Sequence, residues 1–149
     1  MFAKDNRGVV FIETSMALRR KRHIFIECLP LPRDLFDEAP IYFKKAILES
    51  DEVWAQNTKF LETTGKGLAR TVPKGFPFFH VEFGLDRGFA HVVEDEEQFP
   101  HHFGRSIVGG MLDVGADAWM RPKAPADNTR RIKEFADMWR DYDWTRSLE

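Results

Sequence analysis

The chain has 149 residues, of which 43% are hydrophobic, and it carries 14 phenylalanines, a single cysteine and a formal net charge of −2. This composition predicts one globular domain with a sizeable core. It excludes a disordered chain, a membrane-spanning segment and a nucleic-acid binder whose whole surface is basic. Because Cys28 has no partner cysteine, an internal disulfide is also excluded, which suits a reducing compartment such as the cytosol or nucleus.

The first two predicted elements are strands separated by a basic run. Apolar and β-branched residues predict a buried strand over Gly8–Glu13 and a second strand over Ile24–Leu29. Between them, Arg19–His23 (RRKRH) is the densest positive charge in the chain. Three roles are open to this run: a solvated loop, a nuclear localisation signal, or contact with RNA phosphates. Phosphate contact would release counterions and make binding depend on salt.

An amphipathic helix is predicted next. Pro30–Pro32 ends the second strand, and Pro40–Gln56 has the periodicity of a helix that packs on a sheet. Its apolar face comprises Phe43, Ala46, Ile47, Ser50 and Trp54. The glycines of Thr63–Gly67 then break the pattern, and this segment lacks the spacing of a phosphate-binding loop.

A β-hairpin follows the first helix. Phe76–Phe83 and Phe89–Val93 are rich in aromatic and β-branched residues, and the loop Gly84–Gly88 has a glycine at each end. Glycine readily adopts the positive φ that hairpin loops need, so the two runs are predicted to pair as antiparallel strands. Phe78 and Phe79 could stack on nucleobases, but phenylalanines in a hairpin more often belong to the core.

The register of this hairpin decides whether three polar residues share one face. If Phe83 pairs with Gly88, His80 lies opposite His91, and Glu82 points to the same side. These three side chains could then hold a metal or a phosphate. Half-buried sheet residues are the commoner alternative, because three ligands on one flat face lack the convergence of a zinc site. A loop one residue longer moves His91 to the other face.

A glycine-rich helix is predicted from an apolar stripe that recurs every fourth position: Phe99, Phe103, Ile107 and Met111. Pro100 suits its first turn. Glycines at positions 104, 109 and 110 would each weaken the helix by about 1 kcal/mol, which indicates close backbone packing, most simply against the hairpin. The first turns also carry a cationic group that could receive a phosphate, although the acidic Glu94–Glu97 lies just upstream: His101, His102 and Arg105.

The C-terminal part is predicted to be irregular over Asp113–Pro125 and helical after a cap at Asp127 or Asn128. The apolar face of this last helix comprises Ile132, Phe135, Ala136 and Trp139. Tyr142 and Trp144 follow in an apolar tail, which favours a protein-interaction module.

Two patterns resemble a known family. His23–Pro30 (HIFIECLP) occupies the place of the histidine-triad signature, in which histidines alternate with apolar residues along a strand. A longer gapped pattern resembles the C-terminal domains of CwfJ-family proteins, which are spliceosome-associated factors linked to intron-lariat complexes and lariat debranching. Its segments are Pro40–Ile47, Val81–Gly84, Gly88–Asp95, Phe99–Pro100, Phe103–Arg105 and Gly109–Asp113.

The resemblance implies an α+β fold: a small antiparallel sheet, made of the histidine-triad-like part and the hairpin, packed with helices. It divides the chain into a partial first CwfJ C-terminal domain at 1–62 and a second at 63–149, together forming one compact unit. A complete histidine-triad domain needs strands and a helix ahead of Gly8–Glu13. The expectation is therefore a chain lacking that front, whose first strand has an exposed edge unless a partner covers it.

The resemblance also implies that the triad chemistry is lost and that no cofactor is needed. A histidine-triad hydrolase uses its middle histidine as the nucleophile, and that position is Phe25 here. The third position is Glu27, whose charge repels a phosphate, and only His23 is retained. Cys28 lies inside an apparent core strand, so it is not expected to replace the nucleophile.

The function implied is that of a non-catalytic, nuclear splicing-factor module in late, intron-lariat-containing complexes or lariat processing. Spliceosomal proteins, an intron lariat or snRNA, and the lariat-debranching enzyme are its expected partners, and a membrane is not. The predicted RNA-binding residues are Arg19, Arg20, Lys21, Arg22, His23, His101, His102 and Arg105. Two alternatives remain: a protein scaffold without RNA contact, and a residual phosphohydrolase or metal site that uses His23, His80, Glu82 and His91.

Overall fold

A computed structural model describes residues 1–20, 23–50, 60–85, 87–121, 123–124 and 127–148. Within these ranges the strands form one five-stranded antiparallel sheet in the order β2-β1-β4-β5-β3, which confirms the predicted α+β class. The strands are β1 Arg7–Ser15, β2 Ile26–Pro32, β3 Leu61–Glu62, β4 Phe78–Phe83 and β5 Arg87–Val92. The α-helices are α1 Arg33–Glu49, α2 Leu68–Thr71, α3 Phe103–Met111, α4 Ala116–Met120 and α5 Thr129–Trp139.

The core lies between one face of the sheet and helices α1 and α3. Side chains alternate along a strand, so β1 sends Val10 and Ile12 to this face, while β4 sends Phe79, Val81 and Phe83. Phe43 of α1 is fully buried, with its ring centroid 6.3 Å from that of Phe79 and 5.7 Å from that of Phe83. This helix-covered face carries most of the buried aromatic surface.

The opposite face of the sheet is covered only in part. Leu68 of α2 packs against Ala90 and Val92 at the β5 side. Ile26 at the β2 side is 63% exposed. Cys28 lies on this face and is exposed, so the expectation of a core position for it is wrong, because β2 is an edge strand of the sheet.

The first strand has no free edge. β1 pairs with β2 on one side and with β4 on the other, so the expectation of an exposed first strand is wrong. The second neighbour of β1 is β4, which lies more than 60 residues further along the chain, and β2 is the edge strand on this side of the sheet. Strands from both halves of the chain therefore share one sheet.

Helix α1 begins at Arg33, seven residues before the predicted start at Pro40. Pro40 lies inside the helix and is buried, together with Ala39. A proline deeper in a helix costs one backbone hydrogen bond. Pro40 occupies such a position, and its side chain is buried there. Of the predicted apolar face, Phe43 and Ile47 are buried, and Trp54 lies outside the described residues.

The hairpin forms as predicted, but in a different register. Phe83 pairs with Arg87 rather than with Gly88, which sets His80 opposite Ala90. Gly84 has a φ of 65°, a conformation that glycine adopts without strain. Shifting the pairing by one residue reverses the face of every side chain on one strand, and the predicted His80–His91 pairing is therefore wrong.

The glycine-rich helix begins at Phe103 rather than at Pro100, whose carbonyl accepts the Phe103 N–H at 2.9 Å. A Cβ atom on Gly104 would lie 2.8 Å from Ile12 of β1 and 3.0 Å from the Phe79 ring of the hairpin. This confirms close packing at Gly104. Gly109 faces Trp119 of α4 instead, and Gly110 has no atom within 4 Å of such a Cβ.

The predicted irregular segment after α3 contains the short helix α4. The last helix begins at Thr129, whose N–H donates to the Asp127 carboxylate at 2.8 Å, while Asn128 at the N-cap position makes no side-chain cap hydrogen bond. Its apolar residues Ile132 and Phe135 are 66% and 51% exposed. No helix in the described ranges combines the length and hydrophobicity that a membrane crossing requires.

Candidate functional site

The chain turns sharply where it leaves β1. Ala17 has a φ of 54°, unusual for a residue with a side chain, and its N–H donates to the Glu96 carboxylate. The Arg20 N–H donates to the Ala17 carbonyl at 2.8 Å and closes a short 3-10 turn over Leu18–Arg20. The Arg19 and Arg20 side chains are exposed on this turn. The turn is thus held against the acidic segment that precedes α3.

Two adjoining clefts flank this turn and share four lining residues: Met16, Ala17, Leu18 and His101. The first cleft has a volume of about 850 Å³, and its other lining residues include Arg19, Arg20, Phe76, Glu94, Glu96 and Glu97. The second has a volume of about 470 Å³, and its other lining residues include Ser15, His23, Phe25, Glu27, His102 and Arg105.

The two groups of basic residues that were predicted separately meet at these clefts. Arg19 and Arg20 line the first, and His23 lines the second with His102 and Arg105. His101 lines both. The Ala17–Glu96 hydrogen bond joins positions 79 residues apart and brings the β1 exit beside the start of α3. Lys21 and Arg22 belong to the same basic run and lie outside the described residues.

Acidic side chains divide this cationic surface. Glu27 pairs with Ile12 in the β1–β2 register, which turns its side chain toward α3. Its Oε2 atom lies 2.6 Å from Arg105 Nε, and the two side chains are 21% and 35% exposed. The Arg105 charge is therefore already balanced, while the three glutamates lining the first cleft lower the potential beside Arg19 and Arg20.

The three positions that the sequence analysis matched to the histidine triad all line the second cleft. They are His23, Phe25 and Glu27. Phe25 carries no nucleophilic atom, and Glu27 is engaged by Arg105. The cleft offers histidine side chains to an anion, but Glu27 engages its arginine, and Phe25 supplies no covalent nucleophile.

The three candidate metal ligands of the hairpin do not converge. His91 lies on the helix-covered face, where its ring stacks on Phe99 with centroids 5.6 Å apart. His80 lies on the opposite face, with its Nε2 atom 3.3 Å from Thr63 Oγ1 and 3.9 Å from Glu82 Oε1. Burial lowers the pKa of His80 to about 4, so this imidazole is neutral at pH 7. The described residues contain no group of three or more side chains suited to a metal ion.

Sequence reasoning missed the aromatic part of this site. The apolar pattern predicts that Ile24 and Phe25 belong to the second strand, yet they precede β2 and are 56% and 64% exposed. Phe76 was assigned to a hairpin strand, yet it precedes β4 and is 45% exposed. An apolar run does not reveal which of its residues lie beyond the paired part of a strand. One signal in the sequence could have indicated an exposed ring: Phe25 occupies the place of the nucleophile in the triad-like segment, and a nucleophile must be accessible to its substrate.

An antiparallel sheet packed with helices, beside clefts lined by histidine and arginine, defines an α+β protein with an open polar site. The family models identify it further. The chain belongs to the CwfJ C-terminal family. The model described as "Protein similar to CwfJ C-terminal" matches residues 1–44, and "Protein similar to CwfJ C-terminus 2" matches residues 53–145. The resemblance inferred from the gapped pattern is thereby confirmed.

Several curated proteins are similar to nearly the whole chain. It is 44% identical over 149 residues to "CWF19-like protein 2" of Homo sapiens and covers 17% of that protein. It is 42% identical over 147 residues to the Drosophila melanogaster "CWF19-like protein 2 homolog", covering 21% of it. It is 32% identical over 163 residues to "Pre-mRNA-splicing factor cwf19" of Schizosaccharomyces pombe, covering 25% of it. The chain thus spans a quarter or less of these relatives.

Proposed function

We propose that this chain is a non-catalytic, RNA-contacting module of a pre-mRNA splicing factor. One observation carries the proposal: two segments predicted separately to contact RNA line adjoining clefts in a chain of the CwfJ C-terminal family. A relative's name, "Pre-mRNA-splicing factor cwf19", supports the process. The proposed setting is the nucleus, in late, intron-lariat-containing complexes or in lariat processing.

The absence of catalysis is supported by chemistry at the triad positions. Hydrolysis through a covalent intermediate needs a nucleophile, and the Phe25 ring has none. Glu27 places a negative charge in the second cleft, at the position matched to the third histidine of the triad. Neither "CWF19-like protein 2" nor "Pre-mRNA-splicing factor cwf19" is the name of an enzyme.

The proposed RNA contact is local rather than spread over the surface. Arg19 and Arg20 are exposed at the first cleft, and His101 connects them to the second. The glutamates lining the first cleft oppose phosphates nearby, so the backbone must follow a narrow path past the two arginines. Each phosphate contact lowers the logarithm of the binding constant by about 0.7 per tenfold rise in salt for a single strand. Two to four contacts would therefore give a slope of roughly −1.5 to −3.

The proposed partners are an intron lariat or snRNA, spliceosomal proteins and the lariat-debranching enzyme. A pure protein scaffold is the second candidate function, and one observation favours it. The apolar residues of α5 face solvent, with Ile132 66% exposed and Trp139 39% exposed. Such a stripe suits a helix that packs into a groove of another protein.

The test is equilibrium binding to a short branched RNA and to its linear counterpart, each at two salt concentrations. The variant Arg19→Glu/Arg20→Glu reverses both charges at the first cleft. The matched control Arg131→Glu/Lys133→Glu makes the same change in net charge on the exposed face of α5. Circular dichroism and thermal unfolding verify that both variants fold.

Salt-sensitive binding that is weakened in the cleft variant and retained in the control supports RNA contact at the clefts. A preference for the branched RNA would connect that contact to lariats. If the wild type binds neither RNA, RNA contact by this chain is refuted and the protein scaffold becomes the better account. Crosslinking would then identify its partners.

A further inference from the structure

We infer that Phe25 and Phe76 are base-stacking platforms, so that the two clefts select unpaired nucleotides of single-stranded RNA. This inference rests on the proposed RNA contact and specifies which form of RNA is bound. Neither ring was assigned a binding role by sequence reasoning. Their exposure and their positions at the two clefts carry the inference.

The exposure of these two rings is exceptional within the chain. All 14 phenylalanines lie within the described residues, and most of them are buried or half-buried. Phe25 is the most exposed, at 64%, and Phe76 is 45% exposed. The third exposed ring, Phe135, belongs to α5 and lines neither cleft. Two of the three rings that folding leaves exposed therefore lie at the proposed RNA site.

The surroundings of the two rings match the chemistry of a nucleotide. Phe76 shares the first cleft with Arg19 and Arg20, while Phe25 shares the second with His102 and Arg105. A nucleotide combines a flat apolar base with an anionic phosphate. Proteins that bind single strands pair a cationic groove with aromatic side chains on which bases stack. The second cleft, at about 470 Å³, is within the range of small-ligand sites.

The form of RNA follows from the stacking requirement. Bases inside a duplex stack on one another and offer no free face, whereas bases in loops and single strands can be splayed onto an aromatic ring. The two rings lie on clefts that share Met16, Ala17, Leu18 and His101. Because the clefts adjoin through these shared residues, one continuous strand is expected to contact both rings.

An acidic peptide is the competing ligand for a cationic cleft with apolar walls. The arrangement favours RNA because each cleft offers an exposed ring on which a base can stack, beside arginine and histidine side chains. A peptide carboxylate would also meet the repulsion of Glu96 and Glu97 without the compensation of stacking. The test therefore includes an acidic peptide as a competitor.

The experiment compares a single-stranded oligoadenylate with an abasic ribose-phosphate oligomer of equal length and with an RNA duplex, at one salt concentration. The variants are Phe25→Leu and Phe76→Leu, which remove the ring and keep an apolar side chain, and Phe25→Trp, which replaces one aromatic ring by another. Leu85→Ala is the control, because Leu85 is 87% exposed in the hairpin loop and lines neither cleft.

The wild type is expected to bind the oligoadenylate more tightly than the abasic oligomer or the duplex. Each leucine variant should weaken oligoadenylate binding by about 5- to 100-fold, the range for loss of one stacked base. Binding of the abasic oligomer should change by less than about twofold, since only the phosphate contacts remain. Phe25→Trp should retain the affinity for the oligoadenylate, and the stacked base should quench its indole fluorescence. Leu85→Ala should bind the oligoadenylate as the wild type does.

The inference is overturned if both leucine variants bind the oligoadenylate as the wild type does. The proposed function still stands in that case, provided Arg19→Glu/Arg20→Glu weakens binding. Displacement of the RNA by an equimolar oligoglutamate would overturn it in favour of a peptide site. If the wild type binds no RNA of any kind, the proposed function fails together with the inference.

Discussion

Two glycines in helix α3 should respond in opposite ways to the same substitution. Gly104 faces the sheet, where a new Cβ would lie 2.8 Å from two atoms of Ile12 and 3.0 Å from the Phe79 ring. Both neighbours are buried, with Ile12 2% exposed and Phe79 fully enclosed, so neither can move freely. Gly110 lies in the same helix and is exposed, and a Cβ there would meet no atom within 4 Å.

The magnitudes follow from these surroundings. Replacing a helical glycine by alanine stabilises a helix by about 1 kcal/mol, and somewhat less in the last turn, where Gly110 lies. Forcing a methyl group into a packed core costs about 1–3 kcal/mol. Gly110→Ala should therefore raise the free energy of unfolding by about 0.5–1 kcal/mol. Gly104→Ala should lower it by up to about 2 kcal/mol, since the packing cost exceeds the helix gain.

The assay is urea unfolding followed by circular dichroism, with thermal unfolding as a second measure. The difference between the two variants measures mainly the packing cost, because both substitutions also gain helix propensity, with the smaller gain at Gly110 in the last turn. For a chain of this length, 1 kcal/mol corresponds to a change in Tm of about 2–4 °C. A Gly104→Ala variant as stable as Gly110→Ala would refute the close approach of α3 to the sheet.

Three further predictions concern single side chains. Acidification from pH 6.5 to 4 should destabilise the fold by about 3 kcal/mol through His80, because its low pKa lets only the unfolded state gain a proton there. In urea unfolding, the His80→Gln variant should lack this loss of stability on acidification. Comparing the variant with the wild type at each pH also allows for Glu13, whose pKa is raised by burial and which contributes in the opposite direction. Glu27→Gln should strengthen RNA binding in filter-binding titrations by about two- to fivefold, since it frees Arg105; unchanged affinity would show that Arg105 does not contact RNA. Phe43→Ala should cost about 3–5 kcal/mol in urea unfolding because the ring is fully buried, and a loss below about 1 kcal/mol would contradict its central position.

The elements were largely predictable, but their pairing was not. Strand β1, the hairpin and α3 follow from periodicities that span a few residues, and they lie where the pattern predicts them to within a few positions. The register of the hairpin, in contrast, does not follow from a local periodicity. Loops of three or more residues all satisfy the sequence around Gly84, and no local pattern chooses among them. The observed register buries His91 against Phe99, which comes from the segment after the hairpin.

The start of α1 was mispredicted for a related reason. Pro40 is a favourable first-turn residue, so a local argument begins the helix there. The helix instead begins at Arg33 and carries Pro40 on its buried side. Phe36 in the added turns packs over Gly8 of β1, where any side chain would collide with its ring. That contact joins residues 28 positions apart, which a window of local sequence does not contain.

The sequence by itself determined the α+β class, the membership of the CwfJ C-terminal family and the identity of the side chains at the triad positions. The first follows from local periodicity, the second from a pattern of motifs along the chain, and the third from which atoms each residue carries. None of the three requires knowing which distant residues come into contact. Only the tertiary structure decided that the basic run and the start of α3 line adjoining clefts, that Glu27 engages Arg105, and that Phe25 remains exposed. The physical reason is distance along the chain: the Ala17–Glu96 and Glu27–Arg105 contacts join positions 79 and 78 residues apart. Burial and charge balance at a site are set by such neighbours.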